Sequence, residues 1–123
     1  MTDCAVIGDS IAVGIWWHRQ ECAAHARVGI AAAAFTVAPR SSREVVISLG
    51  SNDAADPTAA LIRVRQGITA ERVVWIVPVF RHGDAVRHVA ALFKDETVEF
   101  PVGPDGIHPA DYSILAEQTR RMK

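Results

Sequence analysis

The chain is short of several things that would decide its class at once. It has two cysteines in 123 residues, so no disulfide framework replaces a core, and no C-x-x-C or His/Cys cluster suggests a metal. Its net charge is −1, which leaves no basic patch for nucleic acid. Arg120, Arg121 and Lys123 at the terminus are too few for a basic tail and read as a solvated helix end. No apolar run is long enough to span a membrane, and no basic segment followed by an apolar stretch marks a secretory leader. The default expectation is a cytoplasmic protein, although a secreted chain trimmed of its leader would read the same. Repeats, linkers and low-complexity segments are also missing. Cys4 lies in an apolar run and Cys22 after a short helix; two reduced thiols are expected, with a disulfide between them as the alternative.

What is present is an ordinary globular composition, half hydrophobic and 22% charged, at a length that suits one domain over residues 1–123. Short apolar runs alternate with helical patterns. Strands are expected at Cys4–Gly8, Ala26–Ile30, Glu44–Leu49, Arg72–Val79 and Thr97–Phe100. Helices are expected from Ser10 to about Gln20, over the Ala-rich 31–38, from Asp56-Pro57 to Gln66, over Asp84–Phe93 and from about Ala110 to Arg121. The third and fourth strands are apolar almost throughout, which is how strands covered on both faces read. The fold expected is therefore a three-layer α/β arrangement around a five-stranded parallel sheet.

In open parallel sheets, ligands sit beyond the carboxyl ends of the strands. Four strand ends carry candidate chemistry. After the first, Gly8-Asp9-Ser10 is either a plain helix cap or a nucleophile whose own N–H faces an oxyanion. After the second, Gly29 either lets a helix pack closely or exposes its N–H to a ligand. After the third, Gly50-Ser51-Asn52-Asp53 is either an Asx turn or a loop presenting the Asn52 amide to an oxyanion. Ser51 is a rival nucleophile with no base placed beside it. After the fifth, Asp105-Gly106-Ile107-His108 is either a surface turn or an acid–base pair. In the second case the carboxylate fixes the imidazole and leaves Nε2 free to take a proton.

Taken together, these blocks resemble the SGNH (GDSL-like) hydrolases, whose marks are Ser in G-D-S, a Gly in the second block, Asn in G-x-N-D and His in D-x-x-H. The resemblance runs from residue 5 to about 115. It implies a flavodoxin-like sheet of order 2-1-3-4-5 and hydrolysis of acyl esters, thioesters or related bonds. It also implies a Ser10–His108–Asp105 triad, an oxyanion hole of Ser10, Gly29 and Asn52, and no cofactor. The substrate expected is a small-molecule or carbohydrate ester carrying a short acyl group, with a lysophospholipase or thioesterase as the alternative within the family. A non-catalytic binding domain and a flavodoxin-like nucleotide or phosphate binder are the competing classes. The phosphate binder fits poorly, because Asp9 stands where a phosphate would sit.

Other residues fall near the expected site. Arg81 and His82 follow the fourth strand and are candidate lining residues, as is Asp9. Of Trp16 and Trp17, one is expected in the core and the other as a pocket wall, with Trp16 carried as a candidate lining residue. His18, His25, His82 and His88 are expected to play no catalytic part, and Asp84 with His88 reads as a surface i,i+4 pair.

Overall fold

The computed structural model describes residues 3–36 and 40–121. Five strands, β1 (Cys4–Gly8), β2 (Ala23–Ala26), β3 (Arg40–Ser48), β4 (Ile68–Ile76) and β5 (Glu96–Val98), pair in the order 2-1-3-4-5. Every pairing is parallel. Between them lie helices α1 (Ser10–Trp17), α2 (Thr58–Gln66), α3 (Gly83–Phe93) and α4 (Tyr112–Arg121). The architecture is the flavodoxin-like arrangement expected from the sequence.

Side-chain alternation along the strands builds the layers. Odd-numbered Ala5, Ile7, Val45, Ile47, Val73 and Trp75 share one buried cluster with Leu61, Val64, Val86 and Val89 of α2 and α3. Even-numbered Cys4, Val6, Val46, Val74, Ile76 and Val98 share the other with Ile11, Ile15 and Leu115 of α1 and α4. The register keeps each set on its own face, with Val6 opposite Val46 and Val46 opposite Val74. Both faces are covered, which is why β3 and β4 read as near-continuous apolar runs.

Several element boundaries differ from expectation. The second strand lies at Ala23–Ala26, before rather than over the expected Ala26–Ile30, and it is an exposed edge strand. Its position is set by pairing with Ala5–Gly8, which its alanines do not announce. The Ala-rich stretch is not an α-helix. Only a 3₁₀ turn forms, over Ala32–Ala34, and positions 37 and 38 of the expected helix lie outside the described residues. The Asp53 carboxylate takes the N–H groups of Ala32 (2.7 Å) and Ala33 (3.1 Å), and Phe35 turns into the core. Those tertiary contacts override the alanines' helix propensity. α1 stops at Trp17, short of Gln20, and β3 and β4 begin earlier than expected, at Arg40 and Ile68.

The expectation of reduced thiols is overturned. Cys4 and Cys22 form a disulfide with their Cα atoms 4.7 Å apart. Helix α1 returns the chain to the start of β1, so two cysteines 18 residues apart in sequence meet in the α1/α4 core layer. The expected Asp84–His88 pair is replaced by Asp84–Arg87 at 3.1 Å. Arg120 is tied down rather than solvated: it donates to the His18 carbonyl at 2.7 Å and pairs with Glu21 and Glu117.

Candidate active site

The strand order reverses direction between β1 and β3, and the crevice at such a switch point is where α/β sheets take ligands. The turns leaving these two strands are bound to each other. Asp9 N–H donates to the Ser48 carbonyl at 2.9 Å. The Ser48 hydroxyl returns a bond to Asp9 Oδ1 at 3.0 Å, and Ser51 Oγ approaches Asp9 Oδ2 at 3.4 Å. Asp9 also caps α1, accepting the Ile11 N–H at 3.1 Å. Ser10 is thereby the first helical residue, so its N–H has no intrahelical acceptor and remains available to a ligand.

Asp9 is therefore not the lining residue that the sequence suggested. It is 1% exposed and joins the Ser10 turn to the loop carrying Asn52. Burial pushes its carboxyl pKa up, with the Ser48 hydroxyl, the Ile11 and Ala12 amides and the Ser51 hydroxyl acting against that rise. Ser51 is buried and bonded to this carboxylate, with no histidine in that bond.

The other half of the site is one loop between β5 and α4. It is closed by Gly103 N–H to the His108 carbonyl (2.8 Å), by a bridge between Val102 and Pro109, and by Ala110 N–H to the Pro101 carbonyl (2.9 Å). Gly106 has φ +71, a backbone state in which a side chain would be strained. Inside this loop Asp105 Oδ1 accepts the N–H groups of Ile107 and His108, each at 2.9 Å. Its other oxygen accepts from His108 Nδ1 at 2.6 Å.

His108 Nε2 then lies 2.9 Å from Ser10 Oγ. With Nδ1–H assigned as donor to Asp105, Nε2 is the acceptor for the serine hydroxyl. The His108 ring, followed by the two backbone amides, holds the Asp105 carboxyl at a pKa of about 2. The carboxylate is thus charged whenever the imidazole is asked to take a proton. The side chains of His108 and Asp105 are 40% and 51% exposed, so the pair is open to solvent.

Asn52 is half-buried beyond β3. Its amide nitrogen donates to the Ile30 carbonyl at 3.0 Å, which fixes the plane of the group and leaves its second N–H unspent. Gly29 sits in the turn closed by Ile30 N–H to the Arg27 carbonyl. It has φ +80, and a Cβ there would meet nothing within 4 Å, so close helix packing is not its reason. Its N–H has no partner among the described residues. Asn52 and Gly29 are thus linked through Ile30.

Arg81 and His82 reach back to the same loop: Arg81 Nε donates to the Ser51 carbonyl (3.1 Å), and His82 Nε2 bonds the Asp53 carbonyl (2.9 Å). Both line a cleft of about 820 Å³, together with Val77, Phe100 and Arg87, but neither Ser10 nor His108 lines it. They buttress the Asn52 loop rather than face Ser10. Trp16 is not a wall of the site. Its ring packs on the α1/α4 core and its indole N–H donates to the Cys22 carbonyl at 2.9 Å. Trp17 is 62% exposed and lies about 10 Å along the helix axis from Ser10.

The sequence reading missed the roles of Ser48 and Asp53. Asp53 was visible as the last letter of G-S-N-D, but its grip on Ala32 and Ala33 needed the fold. Ser48 carries no local signal. Neither a protein-family model nor a curated protein matches this chain.

Proposed function

We propose that the chain is a serine hydrolase of the SGNH type, cleaving small acyl esters through an acyl-enzyme. The observation that carries this reading is the hydrogen-bonded series Ser10 Oγ–His108 Nε2–Asp105, at 2.9 and 2.6 Å. In it an alcohol meets a base, and the base meets a carboxylate that orients it.

The reaction follows from that series. Ser10 oxygen bonds to the acyl carbon as its proton passes to His108 Nε2, and the carbonyl electron pair moves onto oxygen. The Ser10 and Gly29 N–H groups and the second Asn52 amide hydrogen are the candidate donors to that oxyanion. The alcohol leaves with the proton from His108. Water then attacks the Ser10 ester, again giving its proton to Nε2, and returns the free serine with the carboxylic acid.

Short acyl groups, acetyl foremost, suit a nucleophile reached through side chains as exposed as these. A long chain gains roughly 0.8 kcal/mol per methylene only where a wall removes it from water. The open side leaves room for a large alcohol such as a sugar. The Cys4–Cys22 bond favours an oxidising compartment over the cytoplasm as the place of action.

The test is hydrolysis of p-nitrophenyl acetate and labelling by a fluorophosphonate, each compared with Ser10→Ala and His108→Ala. Both variants should lose several orders of magnitude in kcat while unfolding at the wild-type temperature. Labelling that survives Ser10→Ala, or maps to Ser51, overturns the assignment.

A further inference from the structure

Tyr112 is the only tyrosine of the chain and the first residue of α4, four residues after His108. Its ring lies on α1 against Gly14: a Cβ built at position 14 would overlap the ring carbons Cδ1, Cε1 and Cζ. Gly14 is one helical turn beyond Ser10, hence on the same face of α1. The nucleophile and the surface on which Tyr112 rests therefore belong to one rigid turn of helix. On the other side, Tyr112 is tied through Asp111, Ala110 and Pro109 to the loop that holds His108.

We propose that the contact of the Tyr112 ring with Gly14 sets how closely the Asp105–His108 loop approaches Ser10, making Tyr112 a positioning residue for the triad. This rests on the reading of Ser10 and His108 as nucleophile and base. The loop makes its hydrogen bonds mostly within itself. Further along α4, Leu115 packs with Ile11 and Ile15, Thr119 accepts from Arg19, and Arg120 donates to the His18 carbonyl, so the body of α4 is held on α1. At the loop end of α4, the flat Tyr112 ring against a residue without a side chain supplies the stop nearest His108. The surroundings of the Tyr112 hydroxyl agree: burial, then the charges of Asp9 and Asp105, push its pKa up to about 12. Among the described residues its hydroxyl has no hydrogen-bond partner, so the ring rather than the hydroxyl makes the contact.

Gly14→Ala separates this role from helix propensity. Alanine in a helix interior ordinarily favours the helix over glycine, so propensity alone predicts an enzyme at least as active as wild type. The ring contact predicts instead a loop displaced by a methyl group. kcat on p-nitrophenyl acetate should fall on the order of 100-fold with KM nearly unchanged, as for a misplaced base. Tyr112→Phe should keep wild-type kcat, and Tyr112→Ala should lose as much as Gly14→Ala. A second readout needs no turnover. Ser10→Ala should shift the His108 Nε2 resonance in the wild-type background and leave it unmoved in Gly14→Ala. Activity retained in Gly14→Ala, or a loss in Tyr112→Phe equal to that in Tyr112→Ala, overturns the proposal while leaving the nucleophile assignment intact. Failure of the nucleophile assignment would show separately, as wild-type enzyme that is not labelled at Ser10. The resonance comparison then still decides the contact: the same shift in both backgrounds overturns it.

Discussion

The carbonyl oxygen of Ser48 occupies the space where a side chain on Gly8 would begin. A Cβ at position 8 would overlap that oxygen, and Gly8 has φ +134, where L side chains are strained. β1 and β3 approach this closely because the next residue, Asp9, bonds the same Ser48 carbonyl. Gly8→Ala must therefore move backbone on both sides of the switch point. It should destabilise the protein by roughly 2–5 kcal/mol, the sum of strained backbone and overpacking. Urea denaturation measures this, and a midpoint equal to wild type would show that the two turns are not rigidly joined.

Asp9 gives a pH dependence of unusual sign. Burial raises its folded-state pKa above the unfolded value, so the native state holds the proton more tightly than the unfolded chain. Its contribution then falls as pH rises from the unfolded pKa through the folded one. Asp9→Asn keeps the cap acceptor for Ile11 and removes the buried charge. The variant should be at least as stable as wild type at pH 7, with the difference shrinking toward pH 4. A wild type that is clearly more stable at pH 7 would mean that the hydroxyl and amide donors outweigh burial.

Asp105 behaves in the opposite way. Its pKa is depressed to about 2 by the His108 ring and the two amides. Its stabilising contribution is present above the unfolded carboxylate pKa and is lost only as pH falls toward 2. The acid limb of kcat/KM should therefore not track Asp105. In Asp105→Asn, Oδ1 can still accept from Ile107 and His108, but an amide NH₂ would face Nδ1 and favour the wrong tautomer. kcat should drop on the order of 10⁴-fold with the fold retained. A loss of only a few-fold would remove Asp105 from the mechanism.

The Cys4–Cys22 bond closes a loop of 18 residues, for which chain entropy predicts about 3 kcal/mol of stabilisation. Cys4 lies at the far end of β1 from the nucleophile turn, about 13 Å away along the strand. The Cys4→Ala/Cys22→Ala variant should unfold at lower urea yet keep wild-type kcat at 25 °C. A large loss of kcat in the folded variant would show that the cross-link reaches the site.

The sequence alone determined the layered architecture and the local shape of the blocks that carry the candidate site. β3 and β4 were legible because a strand buried on both faces must be apolar at every position. The G-D-S, G-S-N-D and D-x-x-H blocks were legible because each is a local device: a cap, a turn, a carboxylate curling back on its own histidine. What depends on partners distant in sequence was decided only in three dimensions. The exposed alanines of Ala23–Ala26 became a strand because β1 offered them an edge. Ala32–Ala34 became a 3₁₀ turn because Asp53 took its amides. Cys22 met Cys4 because α1 is just long enough to return the chain. The same holds for the approach of His108 to Ser10 across 98 residues. Each block carries its own hydrogen bonds, but the 2.9 Å between them comes from β1, β5 and the helices packed on them.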